Sequence, residues 1–133
     1  MRIARREDFA LIFMSALTKY YPKGYVSLSQ VARERNLSSL FLKHIASVLL
    51  DKKLIKSKEG IGGGYKLAKD PGKIFLSEII STLSSGIVAP SCVPAKTCRV
   101  KREICSCRKL WYKVNQHLFS YLEKISLFDF AKL

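Results

Sequence analysis

Apolar residues recur along the first half of the chain with the spacing of amphipathic helices, and short polar turns separate the blocks. The first block predicts a helix from about Asp8 to Tyr20, ended by Pro22 and Gly24. A second helix is expected to begin at Ser27, where Ser27 and Gln30 have the spacing of a capping box.

A third helix is predicted from about Ser39 to Lys52, after a turn of cap-forming residues at positions 36–39. The residues that we expect this helix to bury are Leu40, Phe41, Ile45, Val48 and Leu49. Two helices joined by so short a turn are typical of a helix-turn-helix.

After the third helix the pattern changes to strand, glycine-rich turn and strand. Residues 54–58 and 65–68 flank the glycine run of residues 59–64, which predicts a two-stranded wing. A phosphate-binding NTP loop is the rival interpretation of this run. It is excluded because no Gly-Lys-Ser/Thr follows the glycines and no strand leads into a helix there.

The second half contains a fourth helix at about residues 76–84 and a long helix at about residues 108–125. The long helix has a wide apolar stripe, and we expect part of it to pair with a second copy of the chain. The predicted dimerisation residues are Leu110, Trp111, Val114, Leu118, Tyr121, Leu122 and Ile125. Ser126 and Asp129 predict a capped last helix, Leu127 to Ala131.

The predicted fold is therefore mainly α with a small two-stranded β wing. Residues 1–86 are expected to form a winged helix-turn-helix, residues 87–107 a cysteine loop, and residues 108–133 a dimerisation helix followed by a short helix. A length of 133 residues suits one domain with such an appendage.

The net charge of the chain indicates which class of molecule it binds. The chain has 24 Lys and Arg against 10 Asp and Glu, a formal net charge of +14, so we expect it to bind a polyanion. A basic protein without such a partner is the less favoured alternative. No apolar run is long enough to span a bilayer, and the N-terminus lacks the apolar core of a secretory signal, so we expect a cytoplasmic protein without membrane contact.

All four cysteines lie within residues 92–107, among many basic residues. Nearby positive charge favours the thiolate, which is the form that binds metal, so this segment predicts a metal or iron–sulfur site. Five, six and one residues separate successive cysteines, whereas zinc sites usually pair them as Cys-x2-4-Cys. Zinc is therefore the lesser alternative, and a disulfide switch, Cys105–Cys107 or Cys98–Cys105, stays open.

Other function classes have weaker support in the sequence. Neither His44 nor His117 has a plausible nucleophile as a partner and no nucleotide motif occurs, so we expect no enzyme. A small redox protein would not need the wing or the charge. RNA binding shares the charge argument, but the chain lacks the exposed aromatic platform of single-strand readers.

The order of helix, helix-turn-helix, wing, helix, cysteine loop and long terminal helix resembles the bacterial IscR/NsrR/CymR (Rrf2) family of winged-helix regulators. The resemblance covers nearly the whole chain. It rests on Met1-Arg2-Ile3, Phe9-Ala10-Leu11, residues 27–32, Leu40-Phe41-Leu42, the wing residues 60–67, residues 74–80, Cys92, Cys98, Cys105, Trp111 and Ile125-Ser126-Leu127. It implies a homodimeric DNA-binding transcription regulator, expected to be a repressor.

By this resemblance Cys92, Cys98 and Cys105 match the three cysteines that hold an iron–sulfur cluster, 4Fe–4S or 2Fe–2S, in the sensing members of the family. Arg108 stands where the IscR branch has a histidine as fourth ligand. Asp8 matches an acidic ligand that the NsrR branch supplies from the partner subunit, and Cys107 is a further possibility. Cluster type and fourth ligand stay open.

The resemblance also implies that the third helix enters the major groove and that the wing lies along the minor groove or the backbone. Glu59 stands where the family usually has a basic wing residue. The predicted DNA-binding residues are Arg2, Arg5, Ser27, Ser38, Ser39, Lys43, Ser47, Lys56, Lys58, Gly62, Gly63 and Tyr65.

The function implied is a regulator whose operator affinity depends on a cluster that senses redox, iron or nitric oxide status. The alternative is a metal-free or zinc-bearing winged-helix regulator controlled by thiol oxidation or by a protein partner.

Overall fold

The elements follow one another in the predicted order. The computed structural model describes residues 5–84, 100–101 and 103–133, with Arg5 described only by its backbone. Its elements are α1 Arg5–Thr18, α2 Leu28–Arg35, α3 Ser39–Asp51, β1 Ile55–Lys58, β2 Gly64–Leu67, a 3-10 turn Pro71–Lys73, α4 Leu76–Leu83, α5 Ser106–Leu122 and α6 Leu127–Ala131. The two strands pair antiparallel. The prediction of a mainly helical fold with a small wing is confirmed.

The helix α1 is the centre of the packing, since it contacts α2, α3, α4, α6 and β2. It begins at Arg5, earlier than predicted, so that Glu7 and Asp8 lie in its first turn, where carboxylates favour the helix dipole. Its buried residues include Ala10, Phe13, Met14 and Leu17, at the i, i+3, i+4 and i+7 spacing of one helix face.

The predicted buried set of α3 is partly wrong. The residues that α3 buries are Leu42, Ile45, Ala46 and Leu49, at the i, i+3, i+4 and i+7 spacing of one helix face. Leu40 lies off this face and its side chain is 70% exposed. Phe41 and Val48 are half-buried, and the Phe41 ring packs edge-on against Phe9 with 5.1 Å between centroids.

The capping box predicted for α2 forms only in part. The Ser27 side chain accepts a hydrogen bond from the Gln30 backbone at 3.2 Å. The Gln30 side chain turns away and donates to the Tyr20 hydroxyl at 3.0 Å and to Glu34 at 3.1 Å. Tyr20 in turn donates to Glu34 at 2.7 Å, and these two donors, Tyr20 first, lower the pKa of the Glu34 carboxyl. Sequence spacing missed this network because Tyr20 belongs to the turn after α1.

The C-terminal helix α6 has the predicted bounds and the predicted cap, since the Ser126 hydroxyl accepts from the Asp129 backbone at 3.1 Å. Backbone hydrogen bonds join the segment before α6 to the segment before α4: Leu76 donates to Ile125 at 3.0 Å and Leu127 donates to Ile74 at 2.7 Å. The helix α6 also contacts α1 and the 3-10 turn. The C-terminal end of α5 is thereby fixed to the winged-helix body, the part of the fold formed by α1 to α4 and the wing. The predicted domain boundaries stay predictions.

The helix α5 starts two residues before the predicted position and ends at Leu122. It contacts α4, yet none of its residues is buried. The side chains of Leu110, Tyr112 and Tyr121 are more than half exposed. No helix in the described part of the chain has both the length and the apolar character needed to cross a bilayer.

Candidate nucleic-acid interface

The exposed side of α3 has the residues that the sequence predicted there. Ser38 precedes the helix and its side chain accepts from the Phe41 backbone at 3.4 Å, which starts the helix at Ser39. Lys43 and Ser47 are exposed, as are Ser38 and Ser39. This face therefore presents hydroxyl groups and one ammonium along the first three turns of the helix.

The wing has a basic face that follows from its strand register. Lys56 pairs with Lys66 and Lys58 pairs with Gly64, so the three lysines lie on the same face of the hairpin. The alternate positions, Ile55 and Leu67, are buried in the core. The wing thus directs its positive charges to the side away from the body of the domain.

Glycine is required at Gly64, where the wing begins its return strand. Its φ is +142°, and a Cβ there would overlap the Val26 carbonyl and lie 2.8 Å from the Ser27 nitrogen. Only a residue without a side chain lets β2 approach the chain before α2 so closely. This contact fixes the angle between the wing and the helix-turn-helix.

Four of the predicted DNA-binding residues have visible structural roles. The Ser27 hydroxyl caps α2, and the ring of Tyr65 packs edge-on against Phe13 with 6.0 Å between centroids. Gly62 is exposed at the tip of the wing with a φ of +73°, and Gly63 donates a turn hydrogen bond to Gly60 at 3.1 Å. Their contact with DNA stays a prediction. Arg2 and the side chain of Arg5 lie outside the described residues.

Three residues near these elements were not among the predicted DNA-binding residues. Leu40, at the start of α3, has a large apolar side chain that is 70% exposed. Ile61, at the wing tip, has one that is fully exposed. Tyr25 lies beside the wing, with the ammonium groups of Lys58 and Lys66 over its ring. The glycine-flanked position of Ile61 was a signal for exposure, whereas the Tyr25 contacts depend on strand register.

The described part of the cysteine segment adjoins the first turn of α5. Cys105 is half-buried and caps this helix, and its sulfur accepts from the Arg108 backbone at 3.4 Å. Cys107 is exposed, and both are free thiols. Asp8 is exposed on the first turn of α1. Cys92 and Cys98 lie outside the described residues, within which no three metal-binding side chains form a group.

The type of donor at this position fits an iron–sulfur cluster, because such clusters are held by cysteine sulfur atoms. Cys105 provides a free cysteine at the N-cap of α5. The Arg108 side chain has no acceptor atom and cannot act as a ligand, which leaves the fourth position to another group.

Comparison with known proteins decides the family. A family model, Rrf2, described as an iron-dependent transcriptional regulator, matches residues 3–133. The chain belongs to the Rrf2 family. The resemblance found in the sequence is therefore confirmed, as are transcription regulation, DNA binding and the absence of an enzymatic role.

Individual Rrf2 relatives match over nearly the whole chain. The regulator IscR of Xenorhabdus nematophila is 29% identical over 99% of this chain and 80% of its own length. CymR of Bacillus subtilis is 31% identical over 98% of this chain and 90% of its own length. The solved structure of T. potens IscR has a TM-score of 0.79 at 26% identity, covering 99% of this chain and 87% of that one.

Proposed function

We propose that this Rrf2 regulator is a homodimeric, cytoplasmic repressor whose affinity for its operator depends on an iron–sulfur cluster bound by Cys92, Cys98 and Cys105. The observation that carries the proposal is the position of Cys105 as the cap of α5. A ligand at that position joins the cluster directly to the helix proposed for dimerisation. The description of the family as iron-dependent supports the same assignment.

In this proposal α3 lies in the major groove and the wing follows the adjacent backbone or minor groove. The exposed Ser38, Ser39, Lys43 and Ser47 face the bases and phosphates, and the wing lysines add affinity that is independent of sequence. Each phosphate that a lysine neutralises should steepen the fall of affinity with salt, by about 0.9 in the logarithmic slope.

Selection from a random duplex library tests the DNA-binding part. A dimer with two DNA-binding domains should enrich a palindrome. Its half-sites should lie about one helical turn apart or a multiple of that spacing. Recovery of unrelated sequences that share no palindrome would contradict it.

Leu40 is expected to contribute specificity, because an exposed apolar side chain on a recognition helix suits the methyl group of a thymine. We predict that Leu40→Ala weakens binding to the selected operator about fivefold and reduces the preference for thymine at one position in each half-site. Competition titrations with single-base variants measure both effects. Leu133→Ala is the matched control, since this leucine is 99% exposed at the C-terminus. Equal effects of the two substitutions would contradict the assignment.

The apolar face of α5 supports the proposed dimer. Leu110 and Tyr121 are 53% and 65% exposed, and Trp111, Val114 and Leu118 are half-buried, so a second copy would cover surface that the monomer leaves open. Leu122 and Ile125 instead pack against the core of this chain.

We predict that Leu110→Glu converts the dimer to a monomer, because the interface would then bury an unpaired carboxylate. Sedimentation equilibrium measures the mass. Gln116→Glu places the same charge elsewhere on α5 and should leave the dimer intact. A dimeric Leu110→Glu variant would exclude this face as the interface.

When bound, an iron–sulfur cluster supplies a centre that is sensitive to oxidants and to iron supply. The residues of the chain then link this centre to the two DNA-binding domains of the dimer. Cys105 holds the first turn of α5, and α5 contacts α4 of the winged-helix body. Ligation at Cys105 would therefore constrain the orientation of α5 relative to the winged-helix body. In a dimer joined through α5, that orientation sets the spacing of the two α3 helices. Asp8 on α1 and Cys107 are the candidates for the fourth ligand.

A second function has its own observation. Cys105 and Cys107 are free thiols two positions apart, and Cys107 is exposed, as a regulator controlled by thiol oxidation requires. A solved structure of the relative CymR is described as that of the global cysteine regulator of B. subtilis. Protein purified without oxygen separates the two functions: iron and sulfide support the cluster, zinc alone makes the segment structural, and metal-free protein favours the thiol or partner-controlled regulator.

A further inference from the structure

We propose that Tyr25 is a positioning residue of the wing, whose ring holds the ammonium groups of Lys58 and Lys66 ready for phosphate contact. This inference rests on the proposed function as a DNA-binding regulator, and it adds a residue that no sequence motif identified. The Lys66 nitrogen lies 4.8 Å and the Lys58 nitrogen 5.9 Å from the ring centroid. Both distances fall within the range in which a cation is attracted to an aromatic face.

Backbone pairing puts Tyr25 on the outer face of the wing. Val26 forms an antiparallel bridge with Tyr65, in which each backbone nitrogen donates to the other residue's oxygen at 2.8 Å. The Val26 side chain is buried, so its neighbour Tyr25 is directed to the opposite face. That face is the one on which the register places the wing lysines.

Gly64 lets the segment that contains Tyr25 come close to the wing. It pairs with Lys58 across the hairpin and lies two positions before Lys66 on the same strand face. A Cβ at Gly64 would overlap the Val26 carbonyl, so only glycine allows Val26, the neighbour of Tyr25, to approach this strand so closely.

The arrangement orders the lysines without neutralising them. Among the described residues the ion pair that forms is Lys69 with Glu78, so neither Lys58 nor Lys66 has a carboxylate partner there. A π face attracts an ammonium but leaves its charge available to a phosphate. Two side chains that are already ordered lose less conformational entropy on binding, which strengthens binding without a new contact.

The test compares Tyr25→Leu and Tyr25→Phe in titrations with the selected operator over a range of salt concentrations. Tyr25→Phe keeps the π face and should bind within about twofold of wild type, whereas Tyr25→Leu should bind about fivefold more weakly. In a Lys58→Gln, Lys66→Gln background, the same Tyr25→Leu substitution should have no further effect. A ring with a merely structural role would weaken binding equally in both backgrounds.

NMR of the free protein provides a readout that does not depend on DNA. The ε-methylene protons of Lys58 and Lys66 should be displaced by the ring current in the wild type and in Tyr25→Phe, and should return to ordinary positions in Tyr25→Leu. Undisplaced protons in the wild type would overturn the inference, as would wild-type operator affinity in Tyr25→Leu. Failure of the wild-type protein to bind any duplex would instead overturn the proposed function, and this inference with it.

Discussion

Replacement of Gly64 by alanine is expected to destabilise the protein by about 3 kcal/mol, the largest effect on folding that we predict for any glycine in the described part of the chain. Two costs add at this position. The φ of +142° is unfavourable for any residue with a side chain, and the new methyl group would overlap the Val26 carbonyl. Relief requires the wing to move away from the segment before α2, which breaks the bridge between Val26 and Tyr65.

Alanine substitution at two other glycines allows these two costs to be measured separately, as changes in the free energy of unfolding by urea. Gly60 has a φ of +89° but open space around it, so Gly60→Ala should lose only about 1 kcal/mol. Gly24 has open space and no positive φ, so Gly24→Ala should change stability by less than about 0.5 kcal/mol. A Gly64→Ala variant that loses no more stability than Gly60→Ala would contradict the close approach of the wing to Val26.

Replacement of Cys105 by serine is expected to remove the bound iron and sulfide while the fold stays intact. Serine is a good helix cap, so the hydroxyl should replace the sulfur as acceptor for the Arg108 amide. It does not replace the thiolate as a ligand for iron. The substitution therefore separates the ligand role of Cys105 from its structural role at the start of α5.

Iron and sulfide assays with a visible absorption spectrum, all on anaerobically purified protein, measure the loss. Ser106→Ala is the matched control, because this exposed neighbour should leave both the colour and the iron content unchanged. Asp8→Asn and Cys107→Ser then identify the fourth ligand by which variant loses iron. Full iron content in Cys105→Ser would exclude this residue as a ligand.

The sequence predicted a helix well when one of its faces is buried and its capping residue lies within a few positions of its start. The bounds of α6 and its Ser126 cap are as predicted, because hydrogen bonds within five residues determine them. The register of α3 was partly wrong because Leu40, an apolar residue, stands on the exposed face. Apolar spacing alone does not distinguish a leucine that packs in the core from one that is placed to contact a partner.

The remaining features depend on contacts between residues far apart in the chain. The Gln30 side chain bonds to Tyr20 instead of completing the cap of α2, and Tyr25 meets the wing lysines through strand pairing. For the cysteine site, the sequence predicted the cluster segment, and the structure adds that Cys105 caps α5. That placement is what relates a proposed ligand to the proposed dimer helix.

The most direct test of the central claim is the operator affinity of one protein preparation, measured without oxygen before and after removal of its iron. The proposal predicts brown protein with iron and sulfide, and a change in affinity of at least about fivefold on their removal, the lower end of typical coupling between sites. Equal affinities of the iron-loaded and iron-free forms would contradict control by a cluster, even if the protein binds its operator tightly.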